Sequence, residues 1–379
     1  MASSFDICIR GGGIVGRTLA LHLAAKRLRV ALYAPAPQAP QSADAAPDVR
    51  AYALNTASRG LLEALRCWPD EAHATPVTAM QVHGDDGATV QFSAAEQGVT
   101  ALNWIVDVPA LENLLAEAVR FQPQIELVNA PAPALLTVVC EGRHSATRDE
   151  FGVHFEAAAY GQHALATRVL CEKPHGQVAR QWFGAEGEIL ALLPLGGAQG
   201  RECAIVWSVS PQRVQALQAL DAPAFCEALQ AASHNEMGTV QLSGPRASWM
   251  LQHALAERWS GQSPQGAWVL AGDAAHNVHP LAGQGLNLGL GDVAELVQVL
   301  DTRPYWRSVG DPKLLRAYER ARKAEFALVG GAGDGIQRLF SHAHPAAQAL
   351  RNAGMQGFNS LSPLKKWVTQ RAMGLPGRP

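Results

Sequence analysis

A glycine-rich run near the start of the chain limits its fold more than any other feature. An apolar stretch at 5–9 leads into Gly11-Gly12-Gly13-Ile14-Val15-Gly16, and an Ala/Leu-rich segment continues to about Lys26. Gly11, Gly13 and Gly16 fit a G-x-G-x-x-G spacing between a strand and a helix. Glycines at that spacing let the backbone turn tightly and approach a pyrophosphate, whose charge the helix N-terminus stabilises. The spacing alone is a weak signal; the strand before it and the helix after it point to a dinucleotide site. Residues 28–33 read as a second strand, continuously apolar as parallel strands buried on both faces are.

The rest of the chain alternates between two kinds of segment. Residues 34–49, rich in Pro, Ala and Gln, read as a loop. Asn55 or Thr56 caps a helix carrying Leu61, Leu62 and Leu65. Pro109 starts another helix, through Arg120. Residues 125–128 and 135–140 are buried strands, and 76–98 alternates polar and apolar around a Gly turn, as hairpins do. Residues 164–209 are mainly strands, 211–232 is helical, and 268–271 is a last buried strand. Helices follow at about 286–300 and 312–340. The expected fold is α/β: a Rossmann-type domain, 1–75, 100–162 and 265–340, interrupted by a mainly antiparallel-sheet domain, 76–99 and 163–264. A C-terminal helical tail, 341–379, completes it.

Composition narrows the function classes. At 379 residues, two domains are the default. A net charge of −2 offers no basic excess for nucleic acid. None of the six cysteines is three residues from another, so neither a redox C-x-x-C pair nor a zinc knuckle is expected, and the usage suits a reducing cytoplasm. His276 and His279 are three apart, but no neighbouring Cys or Glu completes a metal site, and they read as loop residues. The start of the chain does not look like a signal peptide, and no apolar run reaches the ~18 residues of a membrane span. Gly330, Gly331, Gly333 and Gly335 follow no strand and read as close helix packing.

The second strong signal runs Leu270-Ala271-Gly272-Asp273-Ala274-Ala275-His276, then Pro280-Leu281-Ala282-Gly283-Gln284-Gly285-Leu286-Asn287. A strand delivers a carboxylate into a turn, and a Gly-rich loop then opens a helix. Asp273 suits a sugar-alcohol hydroxyl; the amides around Gly285 to Asn287 suit an anionic ring at a helix N-terminus.

These two motifs, with Val49-Arg50-Ala51-Tyr52-Ala53-Leu54 and Trp104-Ile105-Val106-Asp107, resemble the ubiquinone-biosynthesis hydroxylases of the para-hydroxybenzoate hydroxylase superfamily. The similarity runs from about residue 5 to Met373-Gly374-Leu375. The resemblance implies FAD as cofactor, with Arg50 and Gly283 contacting it, Asp273 on its ribityl chain, Gly285 to Asn287 at the isoalloxazine, and Pro280 beside the reactive ring carbon. It implies NAD(P)H as electron donor, without a second Rossmann domain, and a small prenylated phenol as substrate. No side chain is expected to act as nucleophile.

Three positions depart from the family pattern. Ala34 stands where the family has a Glu for the adenosine ribose; Asp44 or Asp48 is the candidate substitute. Glu141 replaces the Asp of an Asp-Gly motif. Arg10 replaces an apolar residue at the end of the first strand. Arg10 and Glu141 either pair near the cofactor phosphates or drifted independently, with Arg10 reaching solvent.

The expected function is therefore an FAD-dependent monooxygenase acting on a polyprenyl-phenol intermediate of ubiquinone biosynthesis. The alternative is a weakly catalytic or non-catalytic flavoprotein-like partner in a complex of that pathway; a third reading is an FAD reductase of a prenyl double bond. A cytoplasmic chain is expected, with at most weak, salt-sensitive membrane contact through Leu364-Lys365-Lys366-Trp367-Val368-Thr369-Gln370-Arg371.

Overall fold

The structure, a computed structural model, describes residues 5–34, 48–84, 87–184, 187–278, 284–341 and 373–374, with side chains through 328 and at 373–374. Buried apolar runs build a six-stranded sheet in the order Ser260–Ser263, Gly266–Leu270, Ala134–Val139, Phe5–Arg10, Val30–Tyr33, Ile125–Val128. All its pairings are parallel except that of the Ser260–Ser263 edge strand. Ile7, Ile9, Val30, Leu32, Leu136, Val138 and Val269 from its centre join the main core. Helices Ile14–Ala25, Val108–Arg120 and Gln284–Asp301 supply Leu19, Leu23, Leu111, Leu115, Val293 and Leu296 to the same core. This is the expected Rossmann-type layer, with Phe5–Arg10 near its middle.

The second layer is a nine-stranded, mainly antiparallel sheet. Its path is His276–Asn277, Ala247–Ala256, Phe155–Cys171, Glu202–Val209, Ile189–Pro194, Val178–Phe183, Ala79–His83, Thr89–Ser93, with Val240–Leu242 also on Phe155–Cys171. The expected hairpin is Ala79–His83 paired with Thr89–Ser93. One face of this sheet packs Leu165, Leu190, Leu192, Ile205 and Trp207 under helices Pro211–Ala219 and Ala222–Ala232. Between the layers lies a three-stranded antiparallel sheet, Ala51–Leu54, Asn103–Asp107 and Ala74–Val77.

Two expectations need correction here. The strand expected from residue 164 begins at Phe155, because Phe155–Ala159 pairs with Ala247–Ala256. Phe155-Glu156-Ala157-Ala158-Ala159 has helix-favouring composition, and sheet pairing overrides it; the register slips between Ala159 and His163, where Gly161 has φ +70°. The helical stretch 211–232 is two helices, broken at Leu220, which is extended, before Asp221 caps the next one. A last helix runs Pro312–Ser341 and takes in Gly330 to Gly335. The tail segment 364–371 lies outside the described residues. Among the described residues no helix is long and apolar enough to cross a membrane.

Candidate cofactor and substrate site

The glycines of the first turn have separate physical jobs. Gly11 has φ +118°, and a Cβ there would sit 2.3 Å from the Cys140 carbonyl oxygen. A Cβ on Gly16 would meet the Gly11 oxygen at 1.9 Å, so this glycine lets the helix start close to the strand. At Gly13, the N-cap of Ile14–Ala25, a Cβ would meet nothing within 4 Å. Open space over a helix N-terminus, framed by two glycines that cannot be replaced, suits a pyrophosphate.

Asp273 adds a further wall, in a short 3-10 turn, Gly272–Ala274, after the Gly266–Leu270 strand; a Cβ on Gly272 would lie 3.3 Å from Val15 of the first helix. Solvent reaches its carboxyl, yet protein crowds it, and that burial pushes it above the usual carboxylate range against the pull of His276, Arg143 and Asn277. Arg50 is held by Asp48 at 2.6 Å, with Glu112 at 3.6 Å. The hydrogen bonds that it donates to Asp48 keep the guanidinium firmly charged. Burial works to raise Asp48, but Arg50 outweighs it and holds the carboxylate low. Asp48 is thereby committed to Arg50 rather than free to replace the missing ribose-binding Glu; Asp44 lies outside the described residues. Tyr52 is pushed up by burial and feels both Arg50 and Asp273, so the structure brings these two expected site residues to one place.

Gly285, Leu286 and Asn287 fall in the first turn of Gln284–Asp301. The Asn287 side chain is structural: Nδ2 donates to the Ala53 carbonyl at 2.8 Å, and Oδ1 accepts from the Asn55 amide at 3.0 Å and the Ser58 hydroxyl at 2.8 Å. It ties that helix start to the Ala51–Leu54 strand and to the helix Thr56–Glu63, which Asn55 caps. Pro280, Gly283 and His279 lie outside the described residues.

His276 is not a loop residue. It is buried on the His276–Asn277 strand, and its Nε2 lies 2.7 Å from Asp292 Oδ2. Asp292 also accepts from the Gly272 amide at 2.8 Å and Arg322 Nε at 2.6 Å. Arg322 donates to the Leu288 carbonyl at 3.0 Å and pairs with Glu325. Its guanidinium fits because residue 291 is glycine; a Cβ there would be 2.8 Å from Arg322 Nη2. Burial tends to raise Asp292, but His276 and Arg322 hold it below the usual range. This buried triad locks the turn that carries Asp273. Sequence reasoning missed Asp292 and Arg322. Their one signal was a carboxylate among the apolar positions of a helix, at Leu288, Leu290, Asp292, Val293 and Leu296.

Arg10 and Glu141 do not form the direct ion pair considered above. Arg10 Nη1 binds Glu150 at 2.8 Å and donates to Thr147 Oγ1 at 2.9 Å. Thr147 Oγ1 donates in turn to Glu141 Oε1 at 2.7 Å. Glu141 also accepts from the Ser145 hydroxyl at 2.7 Å and the Thr147 amide at 3.1 Å. The reason is the short helix Ala146–Glu150: its N-terminal groups draw the Glu141 carboxylate, and its last residue reaches Arg10. The two departures meet through one hydroxyl.

A mostly apolar cavity lies between the three-stranded sheet and the free face of the nine-stranded sheet. Ala51, Ala53 and Ile105 wall one side; Ala166, Ala179, Ala191, Ala204 and Val206 wall the other. Val49, Arg50 and Tyr52 border it, so it adjoins the Asp273 wall.

Comparison with known proteins matches this geometry. A family model described as an FAD binding domain matches residues 132–329. The 3-demethoxyubiquinol 3-hydroxylase of Escherichia coli (strain K12) is 30% identical over 396 residues, covering 98% of each chain. The ubiquinone hydroxylase UbiL of Rhodospirillum rubrum is 30% identical, covering 97% of this chain and 89% of that one. Among solved structures, p-nitrophenol 4-monooxygenase PnpA from Pseudomonas putida DLL-E4 superimposes with a TM-score of 0.72 at 16% identity, over 100% of both chains. PqsL from Pseudomonas aeruginosa does so at 0.71 and 19%, over 93% of this chain and 99% of that one. This chain belongs to the family of FAD-dependent hydroxylases of ubiquinone biosynthesis.

Proposed function

We propose that the chain hydroxylates the ring of a polyprenyl-phenol intermediate in ubiquinone biosynthesis, with FAD as cofactor and NAD(P)H as electron donor. The observation that carries this reading is the apolar cavity, bordered by the same Val49–Tyr52 stretch whose Tyr52 feels the charges of both Arg50 and Asp273. Relatives named as ubiquinone hydroxylases support the substrate class.

The residues present fit FAD. The open space at Gly13 and the helix N-terminus behind it take the pyrophosphate, and Asp273 accepts from ribityl hydroxyls. Arg50 adds a fixed positive charge, and the first-turn amides of Gly285 to Asn287 would hold the isoalloxazine; Pro280 and Gly283, outside the described residues, stay assigned to the cofactor by the resemblance. Bound and reduced FAD supplies the oxygen chemistry. The protein's part is to hold the cofactor, orient the phenol and exclude water. Asn287 does the positioning at one remove, by pinning its helix start to Ala53, a cavity wall residue. In this reading 1–75, 100–162 and 265–340 hold FAD, 76–99 and 163–264 hold substrate, and 341–379 is a tail. A prenylated substrate brings the protein to a bilayer surface, and pathway partners are expected beside it.

Purification followed by a visible spectrum tests the cofactor. Oxygen uptake coupled to NAD(P)H oxidation, and dependent on a prenylated phenol, tests the reaction. Oxidation of NAD(P)H without substrate-dependent oxygen uptake would overturn the monooxygenase reading.

A further inference from the structure

The cavity is too apolar to orient a phenol by its walls alone, so the position of its few polar groups decides how a ring would lie. Arg50 is engaged by Asp48 and Glu112. Arg180 is engaged by Glu236 at 2.8 Å and by the carbonyls of His175 and Val178. Asn103, Gln181 and Ser208 are the lining amide and serine side chains with no partner seen among the described residues. Asn103 is the distinctive one. It begins the Asn103–Asp107 strand, and strand alternation puts it on the face of Ile105, towards the cavity, while Trp104 and Val106 enter the main core. Its Oδ1 is buried and has no hydrogen-bond partner among the described residues. A buried amide oxygen left unpaired costs stability, and a ligand hydroxyl removes that cost. Ser208, 3% exposed, carries its hydroxyl on the facing wall, in alternation with Ala204 and Val206.

We propose that Asn103 is the polar anchor of the substrate cavity: its amide accepts the ring hydroxyl of the phenol and fixes which ring carbon turns to the cofactor. The alanines of the nine-stranded sheet take the apolar part of the ring and the start of the prenyl tail. The proposal rests on the substrate reading above.

The test compares two ligands, 2-prenylphenol and prenylbenzene, which differ by one hydroxyl. Quenching of tryptophan fluorescence reports binding, because Trp249 lines the cavity. In the wild-type holoenzyme the phenol binds roughly tenfold tighter, the worth of about one neutral hydrogen bond. Asn103→Leu lowers that ratio to near one and leaves prenylbenzene binding unchanged or tighter. If Asn103→Leu fails to fold, Asn103→Ala reads the same ratio. A preference for the phenol that survives both substitutions overturns the proposal while leaving the cavity as the substrate site. Failure of both ligands to bind wild-type protein overturns the substrate reading and the anchor with it.

Discussion

Asp273 and Asp292 sit at the two sides of one turn and do opposite things. Asp273 has no positive partner in hydrogen-bond contact among the described residues, is open to solvent, and its carboxyl is pushed up by burial among its surroundings. Asp292 is fully buried, meets His276, Arg322 and the Gly272 amide, and is held down. The linkage signs differ accordingly. A depressed carboxylate contributes stability above its unfolded value, ~3.9, and loses it as pH falls through the lower folded value. A raised carboxylate contributes in the other direction: the folded state holds its proton more readily, and stability falls as pH rises through the folded value. The comparison teaches that one acid is paid for by the fold and the other supports it. The first is where a ligand should bind.

The largest expected effect is on the supporting side. Asp292→Asn leaves the buried Arg322 with only the half-exposed Glu325 as counter-charge, and should cost about 3–5 kcal/mol in chemical denaturation. It should also remove part of the acid-side loss of stability expected of the wild type below about pH 4. A variant as stable as wild type would show that the triad does not hold the turn.

The binding side is sharpened by restoring what the chain lacks. A Cβ on Gly12 would lie 2.3 Å from the Ala34 Cβ, so residue 34 is set directly against the glycine turn. Ala34→Glu should gain a charged hydrogen bond to the adenosine ribose, ~1.5–3 kcal/mol, or roughly ten- to a hundredfold in FAD affinity. Unchanged affinity in a flavin titration would place the ribose elsewhere.

The Arg10 cluster gives a smaller effect. Arg10 and Glu141 should couple by about 1 kcal/mol in a double-mutant cycle using Arg10→Val and Glu141→Gln. The same cycle in a Thr147→Val background should be additive, because Thr147 Oγ1 is the link. Coupling that persists there would restore the direct pair.

Much of this was legible in the sequence because it is local. The strand–glycine–helix start and the Leu270–Asn287 run lie on contiguous residues, and contiguous patterns carry their own geometry. Asn55 as a cap and the hairpin at Ala79–Ser93 were legible for the same reason. The triad was not, since Asp292, His276 and Arg322 come from three elements and meet only in the fold. Nor was the Thr147 bridge: six residues past Glu141, it is placed by a five-residue helix too short to announce itself. The cavity needed two sheets to face each other, and only then did the alternation of Asn103 and Ile105 acquire a direction.

The most direct measurement takes Asp273→Asn and reads two quantities on one sample, FAD affinity by titration and stability by chemical denaturation at neutral pH without added flavin. Asp273 as a cofactor ligand that the fold does not need predicts a large loss of affinity with stability unchanged or slightly raised. Full flavin affinity in Asp273→Asn, or a loss of stability comparable to that of Asp292→Asn, would contradict the division of labour between the two acids.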